Sequence, residues 1–232
     1  MEIRLGSLVR DAREAAGTVI VIDVFRAFTT AAIAFSNGAT KITLVAEAED
    51  ALALYHSGVG DVLMGEVDGK RPQGFDYGNS PYEISQADLT GKSLVQSTRA
   101  GTVGVATAFA APDARTIYLG SFAVADATVQ AVLQDNPELV TILAMGDQGA
   151  VRADEDEHCG IYLRNLLEGR RPDPDSVRRL IMAGGATQKF FDDRQPQYHP
   201  QDVELALQFS RYPFAMRVSR EAGRPVAYRV DV

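Results

Sequence analysis

Eight residues, Asp23-Val24-Phe25-Arg26-Ala27-Phe28-Thr29-Thr30, set a carboxylate, a guanidinium and two hydroxyls directly after the apolar run Thr18 to Ile22. In open α/β sheets, ligands collect outside the carboxyl ends of strands, and the following helix offers free N–H groups and the positive end of its dipole to an anion. Asp23 suits a metal ligand, a general base or a nucleophile there, Arg26 an oxyanion clamp, and Thr29 and Thr30 further donors. The plainer reading of the same spacing has Asp23 capping the helix and Arg26 pairing with it at the surface.

Three more clusters sit at comparable positions. Gly65-Glu66 follows the apolar run Val62 to Met64, so Glu66 is expected at a strand end. The loop after it closes with Gly74-Phe75-Asp76-Tyr77-Gly78-Asn79-Ser80-Pro81, where glycines free the backbone around Asp76. Asn79 and Ser80 are good caps, with Pro81 at the first helical position. Ser97-Thr98-Arg99-Ala100-Gly101-Thr102 again joins an apolar strand to a small-residue helix. Backbone N–H groups at such a turn form a concave nest for an anion, and Arg99 has the fork geometry for phosphate or sulfonate oxygens. It is not a Walker loop, because the Gly-Lys-Ser/Thr ending is absent.

The last cluster is acidic, Asp154-Glu155-Asp156-Glu157, followed by His158-Cys159-Gly160. Four acids favour a helix N-terminus, and carboxylate oxygens are also what Mg²⁺ takes, commonly one or two together with waters and substrate phosphate. The spacing of His158 and Cys159 is not that of a zinc site, and Cys159 reads as a small core residue.

The elements that must position these groups follow from hydrophobic periodicity. Strands are predicted at Thr18 to Val24, Ile42 to Val45, Val62 to Met64, Leu94 to Ser97, Thr116 to Leu119 and Val140 to Met145. Helices are predicted at Ala27 to Asn37, Ala48 to His56 and Phe122 to Gln134, each followed by a Gly or Pro stop signal. Beyond Met145 come helices at Asp154 to Leu167, Ser176 to Met182 and Asp202 to Ser210, then β-like segments at Phe214 to Val218 and Val226 to Val230. The alternation implies an α/β fold layered helix-sheet-helix. The expected organisation is one domain over residues 1–232, with residues 146–153 open to being a boundary between two closely packed lobes flanking a cleft.

Composition narrows the partners. The chain has 232 residues, 46% hydrophobic and 23% charged, which is ordinary for a globular protein. A net charge of −8 argues against nucleic acid, whose backbone calls for clustered Lys and Arg. No apolar run approaches the roughly 20 residues of a membrane span, and the start of the chain lacks an export leader. The single cysteine, Cys159, fits a reducing, cytoplasmic setting. The expected partner is a small phosphorylated anion, with homo-oligomerisation left open.

Taken in order, D-V-x-R-A-x-T-T at Asp23 to Thr30, G-E at Gly65-Glu66, G-F-D-x-G-N-S-P at Gly74 to Pro81, S-T-x-x-G-T at Ser97 to Thr102 and E-D-x-x-C-G at Glu155 to Gly160 resemble the 2-phosphosulfolactate phosphatase family, the ComB-like proteins. The resemblance implies a ComB-like α/β fold and a Mg²⁺-dependent hydrolase that converts 2-phospho-3-sulfolactate to 3-sulfolactate and phosphate, a step towards coenzyme M. Carried onto this chain, it makes Asp23, Glu66, Asp76, Glu155 and Asp156 the candidate metal ligands. Asp23, Arg26, Glu66 and Asp76 become the catalytic set, and Arg26, Thr29, Thr30, Asn79, Ser97, Thr98, Arg99, Gly101 and Thr102 the substrate-binding set. Ala100 stands where the family commonly shows Asn, and Gly160 where Ala followed by Gly is expected. The haloacid-type D-x-D-x-T signature is absent, which favours metal-activated water over a phosphorylated Asp23.

Overall fold

The computed structural model describes residues 1–232. Its strands are β1 (Glu2–Ser7), β2 (Ala16–Ile22), β3 (Lys41–Val45), β4 (Val62–Gly65), β5 (Ser93–Ser97), β6 (Asp113–Gly120), β7 (Leu139–Ala144), β8 (Phe214–Glu221) and β9 (Arg224–Asp231). The helices are α1 (Leu8–Ala12), α2 (Ala27–Ser36), α3 (Ala48–His56), α4 (Pro81–Ser85), α5 (Gly101–Ala110), α6 (Ala125–Gln134), α7 (Asp154–Leu167), α8 (Pro174–Ala183) and α9 (Pro200–Ala206).

All nine strands join one sheet in the order β1-β7-β2-β6-β8-β9-β3-β5-β4. Four parallel strands (β1, β7, β2, β6) and three more (β3, β5, β4) are bridged by the antiparallel hairpin β8–β9. Parallel strands need helical cover on both faces, and successive residues of β2 show it. Val19 and Val21 enter one core with α2 and α5, whereas Ile20 and Ile22 enter another with α6 and α7. The helix-sheet-helix layering follows from that division.

Three antiparallel pairings separate β6 from β3, so in a flat sheet the carboxyl ends of β4 and β5 would lie at the edge opposite those of β2 and β7. They border one cavity instead. The right-handed strand twist, about 20–25° per step and larger in a two-stranded ribbon, accumulates across the hairpin and turns the two parallel sets towards each other. Helix α2, buried from Ala27 through Phe35, fills the space between them. Its small and apolar residues (Ala27, Ala31, Ala32, Ala34, Phe28, Ile33, Phe35) suit a helix enclosed all round.

Two elements escaped the sequence reading. Strand β1 is an edge strand paired only with β7, and its Ile3/Leu5 alternation is too short and too charged to stand out. Helix α1 has only five residues. The segment Phe122 to Gln134 is divided, with a 3-10 turn at Phe122–Val124 leading into α6. Residues 146–153 form a tight turn closed by the Asp147–Val151 bridge at the cavity rim. No helix is long and apolar enough to cross a membrane.

Candidate active site

A cavity of about 820 Å³ opens where β2, β4, β5 and β7 end, and Asp23, Arg26, Glu66, Asn79, Arg99 and Glu155 all line it. Four separate sequence clusters therefore meet in one place, as strand-end positions in an α/β fold should.

Asp23 is buried just beyond β2. Its Oδ1 accepts the Ala27 N–H at the start of α2 (2.9 Å), and its carboxylate lies against Gly101 at the start of α5. Burial, with the neighbouring Glu66 charge, still pushes its carboxyl up to about 6. Gly101 is needed for that approach, since a Cβ there would stand 2.8 Å from Asp23 Oδ2 and 2.9 Å from Ala27 Cβ. Asp23 thus does cap its helix, but from inside the cavity wall and without Arg26 as partner.

Glu66, half-buried, accepts the Arg99 N–H through Oε1 (2.8 Å) and the Gly69 N–H through Oε2 (2.7 Å). The Arg99 N–H, which the sequence offers to a substrate anion, is taken by the protein's own Glu66. Glu155, in the first turn of α7, is buried, and its Oε2 has no hydrogen-bond partner. Burial pushes its carboxyl up to about 8 despite the nearby Lys189 charge. Asn79 Oδ1 is likewise buried and unpartnered at the cavity wall.

Other expected site residues lie elsewhere. Asp76 is exposed outside the cavity, because its Oδ2 accepts the Leu63 N–H (2.8 Å) and secures edge strand β4. Asp156 is buried behind the wall, where it accepts the N–H groups of Val24 (2.7 Å) and Gly146 (2.8 Å) and ties the ends of β2 and β7 together. Thr29 and Thr30 turn their hydroxyls back on the carbonyls of Val24 and Arg26. Thr98 and Thr102 bond to each other's backbone across the start of α5, and Ser97 Oγ is directed at the Ala46 carbonyl. Those hydroxyls build the wall and are not free for substrate. Cys159 is buried in the α6/α7 core, and burial with the Asp156 and Glu155 charges holds its thiol well above the usual range, which suits no nucleophile.

Arg26 lines the cavity but is already engaged. Its Nη1 donates to Asp202 Oδ2 (2.9 Å) and the Gln197 carbonyl (2.9 Å), its Nη2 donates to the Gly69 carbonyl (3.1 Å), and Tyr198 stacks under it at 4.8 Å. Asp202 is fully buried and also accepts from Ser80 Oγ and the Tyr82 N–H. The Asn79-Ser80-Pro81 cap and Arg26 thus converge on one acid from α9. Lys189 also lines the cavity, and the sequence reading missed it. It follows no strand; the available hint was that it is the only lysine after Lys92 in an arginine-rich chain.

These residues fit Mg²⁺ in a particular way. No three acidic, His or Cys side chains are grouped so as to hold a metal by themselves. What the cavity offers is oxygen donors alone, with an unpartnered Glu155 Oε2 and a buried Asp23 whose carboxyl is raised to about 6. That is the donor set of a hard ion bound by one or two carboxylates, with water and substrate phosphate completing it.

Comparison with known proteins places this geometry. A family model described as 2-phosphosulpholactate phosphatase matches residues 6–189. A "Probable 2-phosphosulfolactate phosphatase" of Bacillus subtilis (strain 168) is 35% identical over 217 residues, 92% of each chain. Proteins of the same description from Thermus thermophilus and Deinococcus radiodurans are 32% identical over 212 residues (90% of this chain, 86% of that protein) and 37% identical over 149 residues (64% and 61%).

Proposed function

We propose that this chain, which belongs to the 2-phosphosulpholactate phosphatase family and is a phosphoric monoester hydrolase, uses Mg²⁺ to hydrolyse 2-phospho-3-sulfolactate to 3-sulfolactate and phosphate. The observation that carries this reading is the convergence of Asp23, Glu66 and Glu155 on one cavity, two of them with carboxyls raised by burial and awaiting a cation. When bound, Mg²⁺ supplies charge neutralisation at the phosphoryl oxygens and activation of water.

The protein's own contribution is positioning and proton handling. Asp23 would present oxygens for the ion from the end of β2, and Glu155 from the first turn of α7. Glu66 keeps lone pairs beyond its two backbone bonds, faces the cavity, and takes the proton from the attacking water. Asn79 Oδ1, unpartnered at the cavity wall, accepts from water. The narrow chemical demands of phosphate-ester hydrolysis, placement and electrostatics, are met by this set. We place the reaction in the cytoplasm, for which the lone buried Cys159 is suited, and at the phosphatase step towards coenzyme M.

A second reading, another phosphorylated small hydroxy acid as substrate, draws on one observation. Ala100 lines the cavity, at the position where the resemblance implies Asn, so a methyl group stands where an amide is expected. Comparing kcat/KM for 2-phospho-3-sulfolactate and 2-phosphoglycerate decides between them. A preference of about 100-fold or more for the sulfonate compound, the scale of a satisfied buried charge contact, is expected; equal or reversed values would support the second reading.

A further inference from the structure

Four cations border the cavity: Arg26, Arg99, Arg152 and Lys189. Three are paired with acids. Arg26 is committed to Asp202 and to two carbonyls. Arg99 is 43% exposed and stands 3.6 Å from Glu47. Arg152 is 68% exposed, bonded to Ser7 Oγ and 3.1 Å from Glu157. Lys189 has no carboxylate within ion-pair distance. Its Nζ rests instead against the rings of Tyr198 (5.1 Å) and Phe190 (5.7 Å). Aromatic faces hold an ammonium in place without cancelling its charge.

The position of that charge also matters. Lys189 acts on both Asp23 and Glu155, opposing the rise that burial imposes on each. It lines the same cavity as those two carboxylates. The aromatic pair that supports it also carries Arg26, so the wall formed by Phe190 and Tyr198 presents two cations, one neutralised and one free. A dianionic phosphoryl group entering a cavity lined by six acids needs a positive partner, and the Arg99 N–H is already taken by Glu66.

We propose that Lys189 is a catalytic residue whose ammonium contacts the phosphoryl oxygens during the reaction. The proposal rests on the phosphatase reading of the cavity but not on the identity of the ester. Lys189→Met keeps the aliphatic stem over the rings and removes the charge; Lys189→Arg keeps charge with different geometry. With Mg²⁺ present, each variant is compared with wild type for kcat/KM on 2-phospho-3-sulfolactate and on p-nitrophenyl phosphate, for inhibition by inorganic phosphate, and for thermal unfolding.

Lys189→Met is expected to lose about 100-fold in kcat/KM on both esters, as for loss of one oxyanion donor, to bind inorganic phosphate at least about tenfold more weakly, and to unfold normally. Lys189→Arg should recover part of both losses. Values within twofold of wild type throughout would overturn the proposal, and so would a loss confined to 2-phospho-3-sulfolactate, which would assign Lys189 to the carboxylate or sulfonate. Failure of the substrate assignment reads differently: wild type then hydrolyses p-nitrophenyl phosphate but not 2-phospho-3-sulfolactate, and the effects of Lys189→Met on p-nitrophenyl phosphate and on inorganic phosphate still decide the role of Lys189.

Discussion

Asp23 and Glu155 are two cavity-lining acids whose ionisation this fold opposes. Desolvation is the main cause for both, raising Asp23 to about 6 and Glu155 to about 8. The sign of the linkage is that of a buried acid. The unfolded chain ionises Glu155 near its ordinary value while the folded chain holds the proton longer, so stability is lost as pH rises between those two values. Without metal, the penalty is absent below the unfolded value and complete above about pH 8. Glu155→Gln removes it. Urea unfolding in chelator should find the variant more stable than wild type by several kcal/mol at about pH 9, with the difference shrinking towards about pH 4. A pH-independent difference would mean that Glu155 is not held protonated. Added Mg²⁺ should reverse the order at alkaline pH, because the ion stabilises wild type by mass action and the variant lacks the carboxylate.

At the scale of elements, Arg26 joins segments that are distant in sequence: the start of α2, the loop after β4 through Gly69, and the approach to α9 through Gln197 and Asp202. Sequence reasoning placed Arg26 at the substrate; the structure gives it an architectural duty. Removing it leaves the fully buried Asp202 charge uncompensated, at a cost of about 3–5 kcal/mol. Arg26→Ala should therefore lower the urea midpoint sharply, and Arg26→Lys should recover little, since one ammonium cannot reach both carbonyls and the carboxylate. An unchanged midpoint would show that the Arg26–Asp202 pair does not hold these segments together.

The same example shows what the sequence could and could not reveal. A carboxylate after an apolar run is a local pattern, so Asp23 and Glu66 were legible with the strands that carry them, and Glu155 was legible as part of an acidic run suited to a hard cation. Asp76 and Asp156 look identical in sequence, but each is consumed by backbone N–H groups brought near by tertiary pairing, Leu63 for one and Val24 with Gly146 for the other. Asp202 and Lys189 belong to no strand-end pattern at all. Their roles come from where the C-terminal segment returns across the cavity.

The whole molecule sets the final condition for chemistry. A continuous nine-stranded sheet twists through the β8–β9 hairpin so that strand ends from both parallel sets face one cavity. With a net charge of −8 on the chain and six acids lining the cavity against four cations, three of them paired with acids, an added cation favours entry of an anionic ester. Turnover is therefore expected to require Mg²⁺. The direct measurement is phosphate release from 2-phospho-3-sulfolactate by wild type with Mg²⁺, by wild type in excess chelator, and by folded Asp23→Asn with Mg²⁺. Turnover only in the first, with chelator loss reversed by Mg²⁺ and Asp23→Asn reduced by about 1,000-fold or more, is expected. Full turnover in chelator, or undiminished turnover by Asp23→Asn, would contradict it.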